Sequence, residues 1–211
     1  MAKGPSKLEQ ILEILDRLYP WDGRCFLDYK TPWQLLFATI LSAQCTDDRV
    51  NIVTADLFKK YPTLESYASA EISDLEKMVH STGFYRAKAR HLQDSAVKLL
   101  HEHSGEVPSD IEALTALSGV GRKTANVVRS HIFDIPSIVV DTHVKRVTHR
   151  LGLTKHTDPT KVEFDLMKKL PKTHWIRYNQ QVISHGRKIC MARSPNCEGC
   201  ELQGLCKNKI I

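Results

Sequence analysis

The stretch that decides the fold is Leu117-Ser118-Gly119-Val120-Gly121-Arg122-Lys123-Thr124-Ala125, which lies between two helical hydrophobic patterns. Two glycines one residue apart, Gly119 and Gly121, allow a backbone turn that side chains would block. They also let a phosphate approach the amides of the loop and of the next helix N-terminus. Leu117 and Val120 are expected to hold the loop between its helices. The stretch predicts a site for a nucleic-acid backbone without base readout, although the glycines alone favour a plain helix–loop–helix corner.

Helical signals also dominate the rest of the chain. Apolar residues recur at helical spacing from Leu8 to Leu18. Further predicted helices cover residues 33–43, 47–60, 85–103, 122–133 and 175–185, with one capped by Asp141 and ending at Leu151 and one beginning at Asp158-Pro159. Ser73-x-x-Glu76 and Ser109-x-x-Glu112 each fit a capping box. Residues 137–140 are β-branched and apolar but too short to found a sheet, so we expect an all-α protein.

Composition limits the class of protein. The 211 residues carry a net charge of +6, which favours a polyanionic partner such as DNA or RNA, although many basic proteins bind neither. No apolar stretch approaches the length of a membrane helix. The first five residues lack a secretory core, so a cytoplasmic location, or a nuclear one in a eukaryote, is expected.

Two charged residues stand at the starts of predicted helices. Lys123 falls in the first turn of a predicted helix, where the positive end of the dipole and neighbouring Arg122 disfavour its ammonium form and favour a nucleophilic amine. A lysine that contacts a phosphate is an equally good interpretation of that position. Asp141 follows three apolar residues and precedes a helix, so it is expected to be an N-cap, a role that does not exclude catalysis.

Four cysteines crowd the end of the chain, with the spacing Cys190-x6-Cys197-x2-Cys200-x5-Cys206. In a reducing compartment such crowding indicates a metal centre rather than disulfides, and the chemistry alone allows either zinc or an iron–sulfur cluster. Cys25 and Cys45 stand apart and are interpreted as ordinary thiols, buried in the core.

Several segments occur together in an order that identifies a family. They are Leu41-Ser42-Ala43-Gln44, Thr46-Asp47, Gly83-Phe84-Tyr85-x-x-Lys88, the glycine loop, Val140-Asp141-Thr142-His143, His185-Gly186-Arg187 and the terminal cysteines. With this set the chain resembles the endonuclease III family of helix-hairpin-helix DNA glycosylases and abasic-site lyases, over about residues 40 to 206. The resemblance implies a repair enzyme that removes oxidised pyrimidines from duplex DNA and nicks the strand 3′ to the abasic site.

The resemblance also implies roles for single residues. Lys123 would attack the sugar C1′ and form a Schiff base, and β-elimination would then break the strand, with Asp141 as the second catalytic group. The spacing of the four cysteines implies a [4Fe–4S] cluster, expected to be structural. Two rival interpretations are a non-catalytic DNA-binding module and a monofunctional adenine or mismatch glycosylase of the same fold, which lacks the lysine.

DNA contacts are assigned on the same basis. Gln44 is the candidate that fills the gap left by an extruded base, although a glutamine that caps a helix C-terminus is an alternative. Phe84 is a candidate wedge between bases, although an isolated phenylalanine usually lies in a core. The remaining predicted contacts are Gly119, Val120, Gly121, Arg122 and Thr124 in the loop, and Lys88, Arg187 and Arg193 elsewhere, with Arg90 and Lys188 as further phosphate candidates.

The resemblance finally implies a two-lobed molecule with the active site in the cleft between the lobes. One lobe, residues 25–135, would be a helical barrel that holds the helix-hairpin-helix at about 113–133. The other, residues 1–24 and 136–211, would hold the cluster loop 190–206. We expect a monomer that binds damaged duplex DNA and no membrane.

Overall fold

The computed structural model describes residues 4–23 and 25–207, and within these ranges the regular structure is entirely helical. The α-helices are α1 (Lys7–Leu18), α2 (Pro32–Leu41), α3 (Asp47–Lys60), α4 (Leu64–Ala68), α5 (Ile72–Val79), α6 (Tyr85–Glu102), α7 (Ile111–Thr115), α8 (Arg122–Ile132), α9 (Thr142–Leu151), α10 (Pro159–Lys169) and α11 (Trp175–Lys188). Short 3-10 turns cover His80–Thr82, Lys172–His174 and Gln203–Leu205. The predicted all-α class is confirmed. No helix in the described part of the chain has the length and apolar character needed to cross a membrane.

The chain divides into two compact units, each with its own core. One unit runs from Cys25 to Ile135. Its central helix is α2, whose residues from Gln34 to Leu41 are all buried. Helix α2 contacts α3, α6 and α8, and α6 in turn contacts α4 and α5. This unit therefore surrounds one apolar helix with amphipathic ones, and its loops carry the glycine stretch.

The second unit combines both ends of the chain, from the first described residues through position 23 and from Pro136 onward. Helix α11 contacts both α1 and α9. The buried residues of α1, Ile11, Leu12 and Leu15, belong to the same core as Tyr178 and Val182 of α11. This core fixes the elements that carry Asp141 and the four cysteines.

Some helix boundaries differ from those that the sequence predicts. Helix α11 continues through Gly186 to Lys188, whereas the sequence predicts an end at His185. A Cβ at Gly186 would come within 2.9 Å of His143 Nδ1, so this glycine permits close packing against α9 rather than ending the helix.

Both predicted capping boxes are wrong. The N-caps are Glu71 for α5 and Asp110 for α7, and the Asp110 side chain accepts a hydrogen bond from the Ala113 amide. The capping position is therefore held by an acidic residue, two positions before Ser73 in α5 and directly after Ser109 in α7. Residues 137–140 are buried and lead into α9 without forming a strand.

Candidate functional site

The glycine loop between α7 and α8 packs against the core and helix α6 of its own unit. Leu117 and Val120 are buried in the core. The Ser118 carbonyl accepts a hydrogen bond from Ser95 Oγ at 3.0 Å, and Ser118 Oγ lies 2.9 Å from His91 Nδ1. These contacts join the loop to α6.

The two glycines of the loop serve different purposes. Gly119 has φ +75°, and a Cβ there would lie 2.7 Å from the His91 ring, so both the backbone and the packing require glycine. Gly121 has φ −92°, which any residue can adopt, and a Cβ there would meet nothing within 4 Å. The fold therefore does not require Gly121, and its missing side chain leaves open space at the first turn of α8. A DNA phosphate could approach the helix N-terminus through that space.

Lys123 is the second residue of α8 and is exposed, two positions after the N-cap Gly121. Its primary amine is therefore accessible at the same helix N-terminus that has the open approach. Arg122 and Thr124, on either side, are partly buried. This turn offers backbone amides, positive charge and an exposed primary amine within three consecutive residues.

Asp141 is the N-cap of α9, as the sequence predicts. Its Oδ1 accepts a hydrogen bond from the Val144 amide at 2.7 Å, and the side chain is partly buried. His143 is close enough to interact electrostatically with Asp141, and burial is the main reason that the pKa of His143 lies below its usual value. His143 Nδ1 also lies 3.1 Å from an Arg146 guanidinium nitrogen. The carboxylate is therefore held by its own helix beside a histidine.

Arg146 connects α9 to α11 and to the first cysteine. Its guanidinium donates to the carbonyl oxygens of Gly186 at 2.9 Å and of Cys190 at 3.0 to 3.1 Å. The N-terminal turns of α9, where Asp141 lies, are thereby tied to the start of the cysteine segment. Asp141 and the cysteines thus share one structural unit, whereas the hairpin loop and Lys123 belong to the other.

Gln44 and Phe84 are both exposed and both have left-handed backbone conformations, with φ values of 55° and 50°. Such conformations are uncommon for residues other than glycine and concentrate at functional sites. Phe84 is 66% exposed, so it is not the core residue that an isolated phenylalanine usually is. These features favour the predicted roles of both residues in contacting DNA.

The prediction that Lys88 contacts a DNA phosphate is wrong. Lys88 is only 3% exposed, and its ammonium donates hydrogen bonds to the carbonyl oxygens of Leu41 and Thr82, each at 2.7 Å. A charge run in the sequence does not reveal which of its members turns inward. Arg90, Arg187, Lys188 and Arg193 are exposed.

The four terminal cysteines line a single cavity together with Val147 and Leu151 of α9 and His185 of α11. Burial raises the pKa of the Cys200 thiol, and interactions with the other three thiols act in the same direction. Four cysteine thiols around one cavity are a donor set that chemistry allows for zinc or for an iron–sulfur cluster, so the residues present fit such a cluster.

Two further residues contact the cysteines directly. The Arg150 guanidinium donates to Cys190 Sγ at 3.2 Å, and the Arg150 carbonyl accepts from Cys206 Sγ at 3.3 Å. His185 Nε2 lies 3.6 Å from Cys200 Sγ. Sequence reasoning missed Arg150 because a basic residue in the last turn of a helix is ordinary, and it lies 40 positions before Cys190.

Comparison with known proteins defines the class. Residues 37–172 match the family described as HhH-GPD superfamily base excision DNA repair protein. Residues 190–206, which begin and end on a cysteine of the cluster segment, match the iron–sulfur binding domain of endonuclease III. The fold and the site therefore define a base-excision DNA-repair enzyme with an iron–sulfur domain.

Relatives identify the family more closely. Endonuclease III of Synechocystis sp. is 51% identical over 207 residues, which are 98% of this chain and 94% of the relative. The Bacillus subtilis endonuclease III is 42% identical over 96% of this chain and 92% of its own length. The chain belongs to the endonuclease III family. It is a bifunctional DNA glycosylase and abasic-site lyase, and the cofactor of the family is a [4Fe–4S] cluster.

Solved structures agree with this assignment. A non-covalent endonuclease III–DNA complex and a trapped endonuclease III–DNA covalent intermediate superpose with TM-scores of 0.91 and 0.90. Both are 44% identical to this chain, and each comparison covers 96% of both chains. A thermostable thymine-DNA glycosylase at 22% identity and a TM-score of 0.82 shares the fold. These findings confirm the family, activity and cofactor expected from the sequence.

Proposed function

We propose that Lys123 is the nucleophile of this enzyme and Asp141 its second catalytic group, acting on oxidised pyrimidines and abasic sites in duplex DNA. The observation that carries the proposal is the exposed amine of Lys123 at a helix N-terminus whose approach is kept open by Gly121. Phosphates bound by the amides of that terminus would bring the adjacent sugar to the amine. The trapped covalent intermediate of the related endonuclease III supports a covalent route.

The reaction follows from amine chemistry. The lone pair of the Lys123 amine attacks the sugar C1′, the bond from C1′ to the base breaks, and the base leaves with the electron pair and takes up a proton. Ring opening then gives a Schiff base between Lys123 and C1′. Loss of a proton from C2′ expels the 3′ phosphate oxygen by β-elimination, and water releases the lysine from C1′. The Asp141 carboxylate stabilises positive charge at the sugar and accepts protons during these steps.

Access to the damaged base requires extrusion of the nucleotide from the stack. We assign Gln44 to the gap, where its amide can donate to and accept from the orphaned base, and Phe84 to a wedge between base pairs. Gly119, Val120, Gly121, Arg122 and Thr124 would bind the backbone through amides and charge. Arg187 and Arg193, both exposed, would add phosphate contacts.

Cys190, Cys197, Cys200 and Cys206 would hold the [4Fe–4S] cluster. When bound, it supplies folding free energy by closing the end of the chain around four thiolates. Arg150 and His185 would orient two of these ligands from outside. We infer that the enzyme acts as a monomer on damaged duplex DNA, in the compartment that holds the chromosome.

The test is the substitution Lys123→Gln, with Lys161→Gln as its matched control. Lys161 is also an exposed lysine in the first turn of a helix, but it lies on α10, remote in sequence from the glycine loop. Each variant is incubated with duplex DNA that contains one abasic site, with and without borohydride, which reduces a Schiff base to a stable amine. Lys123→Gln is expected to lose nicking and borohydride trapping while it still binds the duplex, whereas Lys161→Gln retains all three.

A borohydride-trapped complex in Lys123→Gln would refute the Schiff-base assignment. A wild-type protein that binds abasic DNA without nicking it above background would instead indicate a non-catalytic DNA-binding module.

A further inference from the structure

Lys88 is a buried cation that the catalytic scheme leaves without a role. It lies in the first turn of α6, is 3% exposed, and donates to two backbone carbonyls at 2.7 Å each. Burial lowers its pKa from the usual value. Burying an ammonium is unfavourable unless strong hydrogen bonds compensate for lost hydration, so the two short bonds must be important to this site.

Both acceptors stand at helix ends. Leu41 is the last residue of α2, and Thr82 is the last residue of the 3-10 turn before α6. Carbonyls at such ends lack partners within their own helix, and the negative end of the helix dipole favours a nearby cation. Lys88 Nζ donates to both carbonyl oxygens, so the distance between the Leu41 and Thr82 oxygens is at most twice 2.7 Å. Lys88 thus joins two segments that are 41 residues apart in sequence.

Each of these segments leads directly to a residue that we propose enters the DNA duplex, and we call these two residues the probes. Gln44 follows Leu41 by three residues, and Phe84 follows Thr82 by two. Both probes are exposed and both have positive φ values, which are unfavourable for such side chains and need support from their surroundings. The Lys88 ammonium therefore donates hydrogen bonds to the backbone a few residues before each of these two positive-φ residues.

We infer that Lys88 is a positioning residue that fixes the spacing of the two segments, so that Gln44 and Phe84 enter the duplex as one rigid unit. The inference rests on the proposed roles of these two side chains in opening the duplex. It needs no contact between Lys88 and DNA, in accord with the burial of its side chain. Two probes on independently moving loops would have to be ordered during binding, whereas a fixed pair enters at a lower entropic cost.

The test measures duplex opening directly. A duplex carries an abasic site opposite 2-aminopurine, a base whose fluorescence rises when it is unstacked, and it is titrated to saturation with each variant in a Lys123→Gln background. Lys88→Met is expected to reduce the fluorescence change at saturation to the level of Gln44→Ala, and the double variant is expected to reduce it no further. In enzyme with Lys123 intact, single-turnover nicking should fall on the order of 10- to 100-fold in Lys88→Met.

Lys169→Met is the control, because Lys169 also donates to a backbone carbonyl, that of Leu153, but lies in the other unit. It is expected to leave both signals unchanged. Wild-type fluorescence and nicking in folded Lys88→Met would overturn the inference, and so would strictly additive effects of Lys88→Met and Gln44→Ala. A lower melting temperature with an unchanged fluorescence amplitude would show a merely structural lysine.

Lys88→Arg is the second variant, which decides the matter if Lys88→Met does not fold. Its guanidinium keeps a positive charge and several N–H donors but is larger and planar, so it should preserve the fold while it displaces the two carbonyls. A reduced fluorescence amplitude supports the inference, and a wild-type amplitude overturns it. Fluorescence requires no reaction, so failure of this inference and failure of the Schiff-base assignment are separate outcomes.

Discussion

The Asp141 carboxylate has two roles, one as the observed cap of α9 and one as the proposed second catalytic group. Its Oδ1 accepts the Val144 amide hydrogen bond that begins α9, and the negative charge lies at the favourable end of the helix dipole. The proposed catalytic role needs charge and a proton acceptor, whereas capping needs only a short polar side chain with an oxygen. Substitution can therefore separate the two roles.

Asp141→Asn should keep the cap and lose the reaction. Asparagine caps helices about as well as aspartate, so we expect the free energy of unfolding to change by less than about 0.5 kcal/mol. Loss of the carboxylate should lower nicking of abasic duplex DNA roughly 10²- to 10⁴-fold. Asp141→Ala is the comparison: it should show the same loss of activity and an additional destabilisation of about 1 kcal/mol. Urea unfolding and single-turnover nicking are the two measurements, and an active Asp141→Asn would reduce Asp141 to a cap.

At the scale of elements, the glycine loop divides its functions between two positions. Gly119 supplies the left-handed turn and the contact with His91, whereas Gly121 supplies open space at the first turn of α8. Both are glycines in the sequence, and only the φ values and the surroundings distinguish the one that the fold needs from the one assigned to the proposed phosphate approach.

The matched pair Gly119→Ala and Gly121→Ala tests this division. Gly119→Ala should lower the free energy of unfolding by about 1 to 2 kcal/mol from the backbone alone, with more from the clash with His91. Gly121→Ala should destabilise the fold less, by up to about 1 kcal/mol because alanine is a poorer N-cap, but it should bind duplex DNA more weakly because its Cβ would occupy the approach to the amides. Thermal unfolding and a binding titration at fixed salt concentration provide the comparison. Wild-type affinity in Gly121→Ala would contradict the proposed phosphate approach.

At the scale of elements, the sequence predicts those helix boundaries that local hydrogen bonds determine. The starts of α3, α9 and α10 were predictable because Thr46, Asp141 and Asp158 cap them through local hydrogen bonds. The end of α11 was not, because Gly186 is explained by packing against His143. Lys88 was misread for the same reason: its acceptor at Leu41 is 47 residues away in sequence, and no local pattern contains it.

The candidate site shows a similar division. The cysteine spacing, the lysine on the glycine loop and the capping aspartate are short-range patterns, and the sequence contains all three. The bond from Arg150 to Cys190 and the tie from Arg146 to α11 are tertiary contacts. Each contact joins α9 to a residue 40 positions later in the chain, and only the fold brings such residues together.

At the scale of the whole molecule, the two units have separate cores and different sources of stability. The unit from Cys25 to Ile135 is built around the fully buried helix α2. In the other unit, Cys190 and Cys200 pack against the core formed by α1, α9, α10 and α11. A cluster bound by these cysteines would therefore stabilise one unit by cross-linking its last segment, whereas the other unit, which contains none of the four cysteines, would keep its own apolar core.

Removal of the cluster should consequently affect the two units unequally. Amide hydrogen exchange, followed by mass spectrometry before and after iron is removed with a chelator, resolves the protein segment by segment. Exchange in α9 and α11 is expected to accelerate strongly, because Arg146 and Arg150 lose a fixed loop to bind, while α2 and α6 keep their protection. The effect should reach the first turn of α9 and loosen Asp141, so nicking should fall even though Lys123 is intact. Equal acceleration in α2 and α11 would show instead that the cluster supports the molecule as a single cooperative unit.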